Sequence, residues 1–157
     1  MTESKKLKLA TTFLQGVMVL VGIGAFAFLL WEPQVEGVNV GKTLFQIYFM
    51  DPLLLYAYIS SIPFFIALYK GMRVLSNIGS GILNERVVID LACIRYCMMF
   101  IVSAVFLGEV FLRLGPSDDR AGGTFMGLLI TFISVIVIAI AKVFEEVLKR
   151  TSYTVSA

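Results

Sequence analysis

The chain has 157 residues, of which 59% are hydrophobic and only 15% charged, and its formal net charge is +2. Soluble domains average about 45 to 50% apolar and about 25% charged residues, so an ordinary soluble fold is excluded, and +2 lacks the strongly basic signature of a nucleic-acid-binding domain. There is no histidine, which removes the usual participant from zinc, haem and Ser-His-Asp chemistry.

Four long apolar stretches lie at about residues 9–31, 52–69, 91–112 and 122–141. Each is near the ~20 residues a helix needs to cross ~30 Å of hydrocarbon, and lipid favours helices because every backbone amide must find its partner inside its own segment. The expected architecture is therefore all-α, a single membrane domain of four transmembrane helices in a bundle. Lys5, Lys6 and Lys8 precede the first stretch, but it exceeds the 7 to 15 residues of a signal-peptide core. It also runs into Trp31-Glu32-Pro33-Gln34-Val35 with no small-residue cleavage site, so it reads as an uncleaved helix. Placing the N-terminus, the segment between the second and third spans and the C-terminus in the cytoplasm puts ten of the thirteen Lys and Arg residues inside, as the positive-inside rule asks. Both termini are therefore expected to be cytoplasmic. The inner face then carries a formal +5 and the outer face −3, which suits an anionic inner leaflet.

In chain order, Gly16, Gly22, Gly24 and Ala25 in the first span let a neighbouring backbone approach closely, and Trp31 marks its outer end as an interfacial anchor. The apolar run from Leu44 to Phe49 predicts a short element at the outer surface, either a lid over a ligand or a piece packed on the rim. The second span opens with Asp51 as a helix cap and Pro52 in the first turn. Inside it, Pro63 leaves the Ile59 carbonyl without its helical partner, and Ser60 or Ser61 has a hydroxyl to offer the freed backbone. A broken helix at mid-membrane can build a substrate site; a packing kink is the simpler reading.

The inner segment, residues 70–90, is the most distinctive. Leu68, Met72, Leu75 and Ile78 recur at helical spacing, so the second helix is expected to leave the bilayer as an amphipathic extension with Lys70 and Arg73 on its wet side. Gly79-Ser80-Gly81 ends it, and Asn84 caps the third helix. In that helix Arg86 and Asp90 are four apart, as are Glu109 and Arg113, the spacing of helical ion pairs. Arg95 stands just inside the inner boundary, where its stem can snorkel to the headgroups. It is ~21 Å along the axis from Glu109 and about 40° around it. Such residues serve either as anchors or as parts of a polar path. Cys93 and Cys97 are one turn apart and read as two buried thiols. Gly115-Pro116-Ser117-Asp118-Asp119 predicts a short outer turn. In the fourth span Gly123, Gly127 and Thr131 form a small-residue stripe suited to a helix contact within the bundle or between subunits. Residues 142–150 continue as an amphipathic cytoplasmic helix in which Glu145 and Lys149 have favourable spacing, and the tail after Thr151 is expected to be mobile.

Leu55-Tyr56, Ile62-Pro63-Phe64-Phe65-Ile66-Ala67-Leu68-Tyr69, Leu75, the Gly/Asn turn, Leu83-Asn84-Glu85, Arg95 with Cys97, and the ending from Val143-Phe144 through Thr154-Val155 together resemble the bacterial four-helix membrane family filed as domain of unknown function 2975. The resemblance implies a four-helix protein of the bacterial inner membrane that often accompanies a small helix-turn-helix regulator, with no activity attached to the group.

Three classes of function are weighed on these residues. The leading one is a non-enzymatic sensor or modulator that binds a cytoplasmic partner, such as a helix-turn-helix regulator, through Lys70, Arg73, Arg86, Lys149 and Arg150, charges that suit lipid headgroups equally. The second is a small transporter, channel or immunity-type protein in which Ser60, Pro63, Arg95 and Glu109 line a polar path, closed by a homo-oligomer formed through Gly123 and Gly127. An enzyme has least support: Asp118 and Asp119 sit in an exposed turn, and Cys93 and Cys97 have no base nearby in sequence. No catalytic, cofactor-binding or metal-binding residue is nominated, and no direct nucleic-acid contact is expected.

Overall fold

A computed structural model describes residues 3–35, 41, 43–49, 52–114 and 120–155, and every regular element in them is a helix. These are α1 (Glu3–Val35), α2 (Leu44–Phe49), α3 (Pro52–Gly79), α4 (Glu85–Leu114) and α5 (Arg120–Val155). Four of them are long and apolar enough to cross a membrane by length and composition. At 33, 28, 30 and 36 residues they extend ~42 to ~54 Å, beyond the ~30 Å hydrocarbon core, so each apolar stretch is part of a longer rod.

The overruns follow from where helix breakers fall. α3 continues past Tyr69 to Gly79, and α4 begins at Glu85, well before Leu91. No Gly or Pro occurs between Leu128 and Val155, so residues 142–150 are the continuation of the span, and the helix runs on through Val155 where a mobile tail was expected after Thr151. The proposed Asp51 cap and the turn at residues 115–119 lie outside the described residues.

The α3–α4 turn closes as its sequence predicts. Gly81 has φ +70°, a backbone region open to glycine at little cost. The Gly81 amide donates to the Ile78 carbonyl at 3.0 Å and the Ile82 amide to the Asn77 carbonyl at 2.9 Å, the paired bonds of a Schellman stop. The Val87 amide then donates to Asn84 Oδ1 at 3.3 Å, capping α4.

The helices pack in chain order, α1 on α3, α3 on α4 and α4 on α5, and no comparable seam joins α1 to α4 or α5. α4 is the central rod: 28% of its apolar stretch is buried, against 6% of α1. Because lipid is as apolar as leucine, these seams rest on close approach and on polar contacts rather than on a hydrophobic drive. On the α1–α3 seam, a Cβ at Gly22 would lie 2.7 Å from Leu68 Cδ2 and one at Gly71 2.5 Å from Met18 Cε, whereas Gly16 and Gly24 face open space. Gln15 Nε2 donates across this seam to the Met72 carbonyl at 3.0 Å, and Tyr58 Oη to the Leu29 carbonyl at 2.7 Å. Tyr56 Oη donates to the Ala104 carbonyl at 2.6 Å, tying α3 to α4.

α2 starts with a capping box: the Thr43 amide donates to Gln46 Oε1 at 3.0 Å and the Gln46 amide reaches Thr43 Oγ1 at 3.4 Å. Tyr48 Oη donates to the Leu30 carbonyl at 2.6 Å, and its ring lies 6.1 Å from that of Tyr58. The segment packs against α3 and α1. α3 passes through Pro63 without interruption. The Ser61 hydroxyl donates to the Tyr58 carbonyl at 2.7 Å, so the broken-helix reading gives way to a continuous rod.

Candidate functional site

The buried face of α4 comprises Val87, Asp90, Leu91, Ile94, Met98, Ile101 and Ala104, a stripe in steps of three and four. Asp90 is therefore a carboxylate on the inner face of the central helix, with its side chain 3% exposed. Lys70 and Arg73, one turn apart on α3, meet it there. Lys70 Nζ donates to Asp90 Oδ1 at 2.8 Å, and Arg73 Nε lies 3.4 Å from Oδ2. The expected Arg86–Asp90 pair does not form. Arg86 is exposed, off the stripe that turns Asp90 toward α3, and the two α3 cations take the carboxylate.

A second carboxylate repeats the pattern between α4 and α5. Glu145 is buried; Lys149 Nζ donates to its Oε1 at 2.6 Å, and Arg95 Nη2 lies 3.6 Å from Oε2. The latter is an ion pair rather than a hydrogen bond. Arg95 thus turns toward α5. Both arginines also lie over tyrosines, Arg73 6.0 Å from the Tyr69 ring centre and Arg95 5.1 Å from that of Tyr96, an added electrostatic contact.

Two desolvated carboxylates, each held by a Lys and an Arg, therefore link α3, α4 and α5 at the end of the molecule where α3 turns into α4. Four cations against two carboxylates leave the cluster with a formal +2. Arg86, Lys142 and Arg150 stand exposed on the same end of α4 and α5. The cluster is built for fixing helices and presenting positive charge.

The remaining residues singled out in the sequence are distributed rather than gathered. Glu109, near the opposite end of α4, accepts a hydrogen bond from Thr124 of α5 at 2.9 Å, and it forms no ion pair with Arg113 among the described residues, contrary to the spacing argument. Gly123 and Gly127 face α4 of the same chain, where a Cβ would lie 2.8 Å from Leu112 Cδ1 and 2.7 Å from Glu109 Oε1 respectively. Thr131 lines an open-sided groove with Glu109; Ser60 and Pro63 do not line it. Cys93 and Cys97 are free and half-buried.

Sequence reasoning missed Asp90 and Glu145 as hubs and Thr124 as the partner of Glu109. A signal was present for Asp90: it keeps step with Val87, Ile94 and Met98. For α5 the informative spacing is seven, since Gly127, Ser134 and Ala141 are all buried, rather than the four that relates Gly123, Gly127 and Thr131.

The family described as "Protein of unknown function (DUF2975)" matches residues 31–154. The uncharacterized membrane protein YoaS of Bacillus subtilis (strain 168) is 31% identical over 148 residues, covering 91% of each chain. No solved structure matches. A multi-pass membrane protein with four apolar helices, this chain belongs to the DUF2975 family.

Proposed function

We propose that the chain is a non-enzymatic protein of the bacterial inner membrane that holds a cytoplasmic partner, such as a small helix-turn-helix regulator, against the end formed by the α3–α4 turn and the C-terminal part of α5. The observation that carries this reading is the cross-helix charge cluster, in which buried Asp90 and Glu145 bind three helix ends together and leave a net positive platform. A fixed positive surface meets an acidic partner face without the entropy cost of ordering it first. The distribution of Lys and Arg supports placing this end in the cytoplasm, and the family resemblance supports a regulator as the occupant.

The basic residues at this end are of two kinds. Lys70, Arg73, Arg95 and Lys149 pair within the chain, whereas Arg86, a candidate from the sequence, and Lys142, which was not one, are exposed and form no ion pair among the described residues. Reversing the second kind, as Arg86→Glu with Lys142→Glu, is expected to reduce in-cell crosslinking to a soluble helix-turn-helix protein roughly tenfold at unchanged membrane abundance. Quantitative mass spectrometry of the crosslinked, detergent-extracted complex checks this. Equal recovery from both proteins would remove the platform from the account.

A further inference from the structure

α2 is pinned to the end of α1 through one of its sides. Tyr48 Oη donates to the Leu30 carbonyl and accepts a hydrogen bond from Gln34 Nε2, both at 2.6 Å. The Tyr48 ring also lies beside that of Tyr58, whose hydroxyl donates to the Leu29 carbonyl. Gln46, two residues from Tyr48, lies ~200° around the helix and is engaged with Thr43 in the cap. Between the pinned side and the capped side project Phe45 and Phe49. Their rings stack with centres 5.3 Å apart, yet the two residues are 67% and 64% exposed. Leu44, on the other flank of Tyr48, is exposed as well.

We propose that α2 is an interfacial membrane anchor whose Phe45–Phe49 face inserts among the headgroups and upper acyl chains of the leaflet at this end of the molecule. This contact goes beyond the proposed partner surface and lies at the opposite end from it. Continuity with the lipid-facing surface of α1 carries the assignment. Leu30, whose carbonyl holds Tyr48, is exposed, as are Trp31 beside it and Phe26 and Phe28 deeper in the same apolar span. α2 is thus held at the level where that span ends, the depth at which tryptophan and tyrosine collect. A helix lying in this plane turns apolar residues toward the acyl chains and polar ones toward water; Phe45 and Phe49 supply the first, Thr43 and Gln46 the second. α2 has no charged residue, so it offers a soluble partner nothing to steer or register it. Lipid removes the two phenylalanines from water without any such requirement.

The test uses the full chain with one tryptophan, Trp31→Phe combined with Phe45→Trp, in vesicles of phosphatidylglycerol and phosphatidylcholine. The phosphatidylcholine carries bromine, a tryptophan quencher, near either the glycerol end or the methyl end of its acyl chains. The expected result is blue-shifted emission, with quenching roughly twofold stronger by the upper bromines than by the lower ones, as a depth of ~5 to 10 Å requires. Phe49→Trp in the same background should behave alike, and it carries the test if Phe45→Trp does not reach the helicity of the parent protein. Red-shifted, unquenched emission would place α2 in water, and blue-shifted emission without quenching would place it against protein, whether this chain or a second copy. Either result, or equal quenching from both depths, would overturn the anchor.

Discussion

Replacing Asp90 with alanine is expected to destabilise the chain by about 3 kcal/mol, the scale for removing one partner of a buried ion pair. Asp90 is nearly inaccessible, and two cations of α3 converge on it. Without it, Lys70 and Arg73 stand side by side on α3 against the α4 seam with no countercharge, and must either bend away from α4 or pull water into the seam. Asp90→Asn keeps hydrogen-bonding capacity but loses the charge, and should fall between the parent and the alanine variant. Joint replacement of Asp90 and Lys70 by leucine and methionine should recover part of the loss, because only the more exposed Arg73 is then left without its countercharge. Equilibrium unfolding in mixed micelles, followed by helicity, measures all three. A loss below about 1 kcal/mol for Asp90→Ala would mean that the α3–α4 seam is held by packing alone.

Gly127→Leu is the other substitution with a large expected effect. A Cβ at this position would lie 2.7 Å from Glu109 Oε1 and 3.1 Å from Val105 Cγ1. The carboxylate tip can swing aside, but Val105 is β-branched and stiff at χ1, so α5 must move off α4. Overpacking of this kind costs about 1 to 3 kcal/mol, with the upper end expected here because the rest of the leucine side chain has to be placed as well. Gly24 provides the control. It faces open space on α1, and Gly24→Leu should leave stability unchanged or raise it by up to about 1 kcal/mol through helix propensity. Equal destabilisation by the two substitutions would contradict the assignment of Gly127 to the α4–α5 seam.

The positions of the spans were legible in the sequence because hydropathy integrates over ~20 residues and the bilayer sets the required length. The α3–α4 turn was equally legible, since Gly81 and Asn84 act locally through a left-handed residue and a cap. The partners of the charges were not. Helix α4 is apolar on nearly every side, so its sequence gives little indication of which face meets α3. Without that phase, a spacing of four made Arg86 the natural partner of Asp90, although Lys70 lies on the preceding helix. Arg95 was read as an anchor for the same reason: Glu145, its partner, is fifty residues away on α5. Helix ends were misjudged wherever no breaker marked them, as at the end of α5.

In the proposed orientation the charge cluster and both termini face the cytoplasm, with α2 on the other side. Single-cysteine labelling distinguishes this orientation from its inverse. With Cys93 and Cys97 replaced by alanine, Thr43→Cys at the start of α2 and Arg86→Cys at the start of α4 would be exposed to a membrane-impermeant maleimide on intact spheroplasts. The account predicts labelling of Thr43→Cys in intact spheroplasts and of Arg86→Cys only after permeabilisation. The reverse pattern, or labelling of both positions from one side, would contradict it.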